Sequence, residues 1–420
     1  MSDAIHDLSR VIRRLEAKSR INAASRQAAS LEDLLGGALE ETPRGQVLVV
    51  RRRFDAGHRH GRQLLDGARG MADAPLALLG RSEAPAGPRL LYLDTETTGL
   101  AGGTGTYAFL VGVGFFDGEA FEVRQYFMRD LDEEPALLAA LEPLLRNVDG
   151  LVTYNGTSFD LPLLETRFVL ARRRWPEATF HLDLLPAARR LWSARLPDCR
   201  LGTVEQHALG FTREGDLPGA LIPSVYFEYL RRKAPGELPR VFEHNRHDIL
   251  SLAALAGWVA DAVARAPAPE LEAEELAGLG RLWEPADPDR GEACYRMALD
   301  RGLPSPGRER LLARLAWREK RRSRWDASRV LWEAAARGAR IFDSRPWEEM
   351  AKIHEHRLRD LAAAHAVVTE ALDRARVHRA PASVVEALSH RLARLSRRLE
   401  RGRPASPGSS TVSASPTPRG

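Results

Sequence analysis

The chain has 420 residues, of which 44% are hydrophobic and 28% charged, with a net charge of +5; that length exceeds one ordinary core, so two or three globular domains are expected. Its two cysteines, Cys199 and Cys294, stand far apart in sequence, which excludes a disulfide framework and a cysteine zinc site and fits a reducing cytoplasm. The N-terminus MSDAIHDLSRVIRRLEAKSR lacks the apolar core of a signal peptide, and no window of about 18 apolar residues stands out for a membrane span, so a cytoplasmic protein with no membrane partner is expected.

Residues 5 to 38 carry apolar residues at helical spacing among charges and predict a surface helix. GQVLVVRRRF reads as a strand. The AGHRHG stretch after it holds His58 and His60. Two histidines two residues apart without acidic companions fit the lining of a loop better than a metal site, and the segment has no evident role. ADAPLALLGRSEAPAGP has the Pro and Ala content of a linker. Residues 1–87 are thus expected to form a helix and strand extension with a linker.

From Arg89 the texture changes. RLLYLDTE, TYAFLVGVGFF and FEVRQYFMRD are short apolar runs between turns, and predict three successive strands in a meander. EEPALLAALEPLLRNV is an amphipathic helix, and GLVTYN a buried strand that runs into the helix SFDLPLLETRFVLARRRW. Strands first, then strand alternating with helix, predict a layered α/β domain with a mixed sheet. After HLDLLPAARRLW and the turn-rich REGDLPGALIPS, a helix runs through HDILSLAALAGWVADAVARA, and APAPE closes the unit.

Beyond it the spacing is purely helical. Gly291-Tyr295-Ala298, Ser328-Trp332-Ala335 and Ala364-Val368-Ala371 repeat a small-bulky-small pattern at offsets of 37 and 36, which resembles divergent tetratricopeptide repeats, although plain helical hairpins give the same pattern. The last stretch, RGRPASPGSSTVSASPTPRG, has no means of burying a core. Residues 301–420 hold 26 Arg plus Lys against 13 Asp plus Glu, a local charge of +13 that leaves the rest at −8. A basic flank suits a polyanion such as nucleic acid. Since 58 of the 62 basic residues are arginine, as GC-rich codon usage also produces, a solvated helical surface is an equal reading.

The chemistry concentrates in LYLDTETTGL. Alternate residues of a strand project to one face, so Asp94 and Glu96 stand side by side, where they repel unless something positive lies between them. LLYL before them and the glycine turn after them place the pair at the C-terminal end of a buried strand, where open α/β sheets hold their sites. A divalent metal answers the repulsion, and more acids are then expected from elsewhere. Asp160 follows a buried strand and opens a helix, in a context with Asn155 and Phe159 that exceeds what a helix cap requires. Asp248 stands at another helix start, after His244 and His247. Asp183 and Asp216 read as structural, one on a short strand and one in a turn.

In that order DTETTG, N-x-x-x-F-D and H-x-x-x-D resemble the three motifs of the DEDD, or DnaQ-like, 3′ to 5′ exonucleases of the ribonuclease H-like fold, over residues 88–262. HRHG, ETTGLAGGTGTYAFLVG, VTYNGTSFDLPLLETRF and GDLPGALIPSVYFEYL are similar to the YprB-like bacterial group, which joins such a domain to tetratricopeptide-type helices, and this likeness spans residues 40–375. The resemblance implies an α/β ribonuclease H-like domain, a mixed sheet with flanking helices, at 88–264 and an all-α helical-repeat domain of tetratricopeptide type at 270–400, and the composition of 401–420 predicts a disordered tail. It implies that Asp94, Glu96, Asp160 and Asp248 hold two Mg²⁺ or Mn²⁺ ions in a two-metal hydrolysis of phosphodiester bonds at the 3′ ends of single-stranded DNA or RNA. Glu96 would thereby share in catalysis.

One subfamily carries its general base as a histidine five residues before the last aspartate, the other as a tyrosine four before. This chain has Glu243 and His244 in those places. His244 is therefore the expected base, and His247 is expected to meet backbone or phosphate. Thr97, Gly102, Gly103, Asn155 and Phe159 are the expected substrate contacts, the glycines through close backbone approach and Phe159 as a wedge against the terminal base. DNA against RNA stays open. So do two rivals: a non-catalytic scaffold that binds nucleic acid or recruits a protein partner through the helical repeats, and a structure-specific endonuclease on the same fold.

Overall fold

The computed structural model describes residues 30–402 apart from 56, 72, 81, 82, 84 and 100–103. Gly102, Gly103, the tail beyond 402 and the part of the expected N-terminal helix before residue 30 lie outside the described residues. The chain divides into two compact units, 1–294 and 295–420.

The strands of the first unit are β1 (Gly37–Thr42), β2 (Gly45–Phe54), β3 (Arg59–His60), β4 (Gln63–Leu64), β5 (Leu90–Thr97), β6 (Ala108–Asp117), β7 (Ala120–Phe127), β8 (Gly150–Thr153) and β9 (Phe180–Asp183). Its helices are α1 (Leu31–Leu35), α2 (Asp73–Gly80), α3 (Glu134–Arg146), α4 (Asp160–Leu170), α5 (Leu184–Trp192), α6 (Leu201–Val204), α7 (Ile222–Arg232), α8 (Leu238–Arg265) and α9 (Ala273–Trp283). Seven strands form one sheet in the order β1-β2-β7-β6-β5-β8-β9, and β3 pairs with β4 in a separate hairpin. Pairing is antiparallel from β1 to β5 and parallel from β5 through β8 to β9. The mixed sheet with flanking helices is what the element order led one to expect and is the ribonuclease H-like arrangement that the motif resemblance implies; its pairing changes sense at β5.

Two stretches before residue 88 belong to this architecture. β2 pairs with β7, because Val47 to Val50 are apolar on both faces and are buried on both. Inside the expected linker, α2 forms and buries Leu76 and Leu79; Pro75 lies in its first turn, where proline removes no helical hydrogen bond.

The sheet carries a core on each face, and β5 contributes Leu91 and Leu93 to the first of them. Leu91 and Leu93 join Val111, Val113 and Leu151 against Leu137 and Leu141 of α3 and Leu164 and Phe168 of α4. On the other face Leu48, Val50, Phe109 and Phe127 meet Tyr226 of α7 and Val241 and Phe242 of α8. α8 contains an 18-residue window of mean hydropathy 1.3, so by length and composition alone it is apolar enough to cross a membrane, contrary to the sequence expectation. It is a core helix here, with 78% of that window buried inside the protein. It lies close on the sheet because β6 offers glycines beneath it: a Cβ at Gly112 would sit 2.1 Å from Asn245 Oδ1, and one at Gly114 2.5 Å from Ile249 Cγ2.

The second unit starts within α10 (Pro288–Asp300) and continues through α11 (Gly307–Arg321), α12 (Trp325–Gly338), α13 (Ser344–His356), α14 (Leu361–Val377) and α15 (Ala382–Gly402). Its core gathers Ala316, Trp332, Trp347, Met350, Val368 and Leu395. The small and bulky positions of the sequence pattern fall inside: Ser328, Trp332, Ala364 and Val368 are buried, and the Ser328 hydroxyl donates to Ala316 O at 2.9 Å, so α11 and α12 approach closely there.

Candidate active site

β5 is the strand where pairing changes from antiparallel to parallel, and its C-terminal end opens into a crevice of the kind that holds ligands in α/β sheets. Asp94 and Glu96 share the face turned toward α8, with a register shift between Glu96 and Thr97 just before the last pair of the ladder, Thr97 with Ala108. From the opposite parity Thr95 reaches Asp160, the first residue of α4. The Thr95 backbone N–H and hydroxyl donate to Asp160 Oδ1 at 3.1 and 2.6 Å. Asp160 thus binds across to β5 instead of capping its own helix.

Asp248 does not open a helix. α8 begins at Leu238, and Asp248 projects from inside it, where Arg213 Nη2 donates to its Oδ1 at 2.5 Å. One turn earlier on the same helix, His244 places Nε2 3.4 Å from Asp248 Oδ2. Its Nδ1 lies 2.9 and 3.0 Å from the two carboxylate oxygens of Asp216. Asp216, expected to serve only its turn, is therefore the partner that orients His244. His247 is half-buried and packs its ring on Phe211, at 5.2 Å between centroids.

The charges are out of balance in a way a cation would correct. Burial, and then the charges of Asp248, Glu96 and Asp160, hold the Asp94 carboxyl well above the usual range. Burial pushes Glu96 up to about 8 against the pull of His244, with Asp248 and Asp160 adding to the rise. Asp160 is raised to about 6 by burial, in spite of its Thr95 hydrogen bond. For His244 burial acts to lower the pKa, but the Asp216 hydrogen bond and the charges of Asp248 and Glu96 prevail and raise it to about 9. Glu96 is only 9% exposed, and its Oε1 is buried with no hydrogen-bond partner among the described residues. Glu96, His244 and Asp248 each offer a ligand atom, all within 4.8 Å of one another. An orphaned carboxylate oxygen facing further acids is what a hard divalent cation would satisfy, so the residues present fit such an ion.

Beside the acids lies a cleft of about 450 Å³, lined in part by Asp94, Glu96, Thr97, Phe159 and Asp160. Phe159 is 57% exposed and stands free to meet a ligand. Asn155 is not part of that lining. It takes a left-handed backbone with φ 64°, a conformation asparagine tolerates better than most residues, and its N–H donates to Asp183 Oδ1 at 2.7 Å. Asp183 also accepts from Thr157 N at 3.2 Å and caps α5 through Leu185 N at 3.1 Å, so it shapes the loop that delivers Asp160. Arg167 of α4 does the same for the far end of the glycine loop, donating to Thr104 O at 2.8 Å while Glu134 and the Tyr107 ring hold its guanidinium.

A family model described as the RNase_H superfamily matches residues 91–260. The protein of Bacillus subtilis (strain 168) that carries the name Uncharacterized protein YprB is 32% identical over 325 residues, which span 74% of this chain and 75% of that protein. The chain belongs to the YprB family. Among solved structures, the family B DNA polymerase from the hyperthermophilic archaeon Pyrobaculum calidifontis is similar at 16% identity and a TM-score of 0.32, over 52% of this chain and 30% of the polymerase; nothing about this chain follows from that likeness.

The YprB-family site has supports that the motifs alone do not reveal. Asn245, fully buried, donates Nδ2 to Asp94 Oδ2 at 2.9 Å. Gln125 Nε2 donates to Asn245 Oδ1 at 3.0 Å and to Phe242 O at 2.7 Å. Asp94, Gly112 and Gln125 are cross-strand neighbours on β5, β6 and β7, so Asn245 descends onto the one position in that row without a side chain. The alternating glycines of LVGVGFF were the signal: two bare positions on one face of a strand mark the place where a helix comes close.

Proposed function

We propose that this YprB-family protein is a metal-dependent 3′ to 5′ exonuclease that hydrolyses phosphodiester bonds at the ends of single-stranded nucleic acid. Hydrolytic nuclease chemistry is typical of the ribonuclease H superfamily, and the observation that carries the reading is the orphaned Glu96 Oε1, on a carboxyl raised in pKa together with those of Asp94 and Asp160. Asp94, Glu96, Asp160 and Asp248 are the ligands for two Mg²⁺ or Mn²⁺ ions. Such ions, when bound, polarise the phosphate and make hydroxide available near neutral pH.

The rest is done by the chain itself. Asn245 and Thr95 fix the carboxylates of Asp94 and Asp160, which leaves their other oxygens to face the cleft. Asp216 holds His244 by Nδ1, so Nε2 is the atom that accepts a proton from the attacking water. Compensating the charges of Asp248 and Glu96 removes their share of the stabilisation that keeps this imidazole protonated, while the Asp216 contact continues to hold the ring. Phe159 offers a ring on which a terminal base can stack, and Thr97 lines the cleft for sugar or phosphate. We read the second unit as tetratricopeptide-like repeats whose basic excess draws nucleic acid, and the whole as a cytoplasmic protein.

The test is a time course on 5′-labelled single-stranded DNA and RNA with and without Mn²⁺. A ladder that shortens from the 3′ end only with metal supports the proposal. Internal cuts would favour an endonuclease on the same fold, and no cleavage of any substrate would favour a binding scaffold.

A further inference from the structure

The HRHG hairpin of β3 and β4 lies outside the acids and the cleft. We infer that its His60 anchors a buried hydrogen-bonded relay that positions Asp248 and His244. This rests on the reading of those two residues as part of a metal-dependent site.

His60 is 3% exposed, with its ring packed on Phe211 at 3.9 Å between centroids. Its Nε2 lies 2.7 Å from Ser251 Oγ, and the Ser251 hydroxyl donates to Glu205 Oε2 at 2.5 Å. A hydroxyl has a single hydrogen, so toward His60 the serine oxygen accepts, and His60 is the neutral tautomer that carries its proton on Nε2. Burial and the nearby His247 and Arg213 hold its pKa down to about 3, which keeps the ring neutral. Glu205, 1% exposed in a π-helical turn, accepts from Arg213 Nε at 2.6 Å and Nη2 at 2.9 Å. Arg213 then closes the relay at the site: Nη2 donates to Asp248 Oδ1 at 2.5 Å, and Nη1 lies 3.4 Å from Asp216 Oδ2, whose carboxylate holds His244.

Every link has a definite sense. His60 donates to Ser251, Ser251 to Glu205, and Arg213 to Glu205 on one side and to Asp248 and Asp216 on the other. A buried carboxylate and guanidinium are unfavourable unless fully paired. Within this relay Glu205 receives three hydrogen bonds and Arg213 meets three carboxylates, which leaves the guanidinium a single orientation. The hairpin itself has one register. Gly61, at φ +62°, lies so close to the 205–211 segment that a Cβ would come 2.3 Å from Leu209 O. Arg62 N donates to Leu209 O at 2.6 Å, and Arg62 Nη2 to His207 O at 3.0 Å. His60 touches no reacting atom; it is a positioning residue that acts through Arg213.

The full-length chain carries the test, with Ser251→Ala, His60→Leu and His60→Gln. Glutamine can place an amide N–H where His60 Nε2 stands, and leucine cannot. Two readouts are taken: the histidine-ring ¹⁵N–¹H spectrum of metal-free protein, and Mn²⁺ affinity by electron paramagnetic resonance. Ser251→Ala and His60→Leu should shift the His244 ring resonances and weaken Mn²⁺ binding about tenfold, as loss of a ligand's outer partner does, whereas His60→Gln should preserve both. Unmoved His244 resonances with unchanged affinity in Ser251→Ala would overturn the relay, and so would equal losses in His60→Gln and His60→Leu, which would assign the effect to packing. If His60→Leu does not fold, Ser251→Ala, which removes one oxygen, decides. If the wild type binds Mn²⁺ no better than Asp94→Asn, the metal reading fails by itself, and the metal-free spectra still decide the relay.

Discussion

Glu96, Asp160 and His244 are all raised in pKa in the folded, metal-free protein, and their effects on stability therefore point the same way. Glu96 moves from 4.5 to about 8 and Asp160 from 3.8 to about 6, with burial as the first cause; His244 moves from 6.5 to about 9 through Asp216 and the acids, against burial. A raised group stabilises the fold fully below its unfolded pKa and loses that contribution as pH rises through the folded value. The contribution of these three groups in metal-free protein should therefore be lost as pH rises between about 4 and 9, while His60, held down to about 3, acts in the opposite sense below about 6.5. Glu96→Gln cannot ionise, so with chelator present it should melt a few degrees above wild type at pH 8 and gain less at pH 6, at roughly 2–4 °C per kcal/mol relieved. An equal gain at both values would show that ionising Glu96 carries no penalty. His244→Ala should lower the cleavage rate by roughly 10² to 10⁴, with little loss in His247→Ala, whose ring packs on Phe211. The acid pair was legible from its spacing on one strand. Asn245 was not, because a buried amide between two charged neighbours in EHNRH has no periodicity of its own.

Elements were legible where period and burial agreed, as in β2 and the β5–β7 meander. They were misjudged where polar residues lie on the exposed side of a buried element. The sequence reading starts a helix near Asp248 because EHNRHD looks like a cap region, yet α8 already buries Leu238, Val241 and Phe242 before it, and Glu243 is simply its exposed face. The same helix gives a sharp test of the packing. In Gly112→Ala the new methyl group meets Asn245 Oδ1 at 2.1 Å in an otherwise closed core, so the amide must leave Asp94. Overpacking of this sort costs about 1–3 kcal/mol. Denaturant unfolding should show that loss, and cleavage should fall further than the stability change explains. A variant with wild-type stability and turnover would mean that Asn245 does not fix Asp94.

For the molecule as a whole, the order of elements was enough to reach the mixed sheet, but it did not place β2. The partner of β2 is β7, with β3, β4, α2, β5 and β6 between them in the chain, and no local signal encodes a pairing at that separation. Charge is the other property at this scale. The excess of 26 basic over 13 acidic residues falls in 301–420, whereas all the proposed ligands precede residue 249. If that excess guides substrate, a chain ending at Gly302 should bind oligonucleotide more weakly and with a shallower salt dependence, because fewer counterions are released. Its turnover at saturation should be retained. An unchanged salt slope would point to a protein partner for the helices.

The central claim, that the acids of β5 with Asp160 and Asp248 are a cation-dependent hydrolytic site, is tested most directly by one comparison: cleavage of labelled single-stranded oligonucleotide in Mn²⁺ by wild type and by Asp94→Asn. That change removes one charged ligand and relieves repulsion, so the variant should fold at least as stably without metal and yet leave the substrate intact while wild type degrades it. Near-normal turnover in a folded Asp94→Asn protein would contradict the claim.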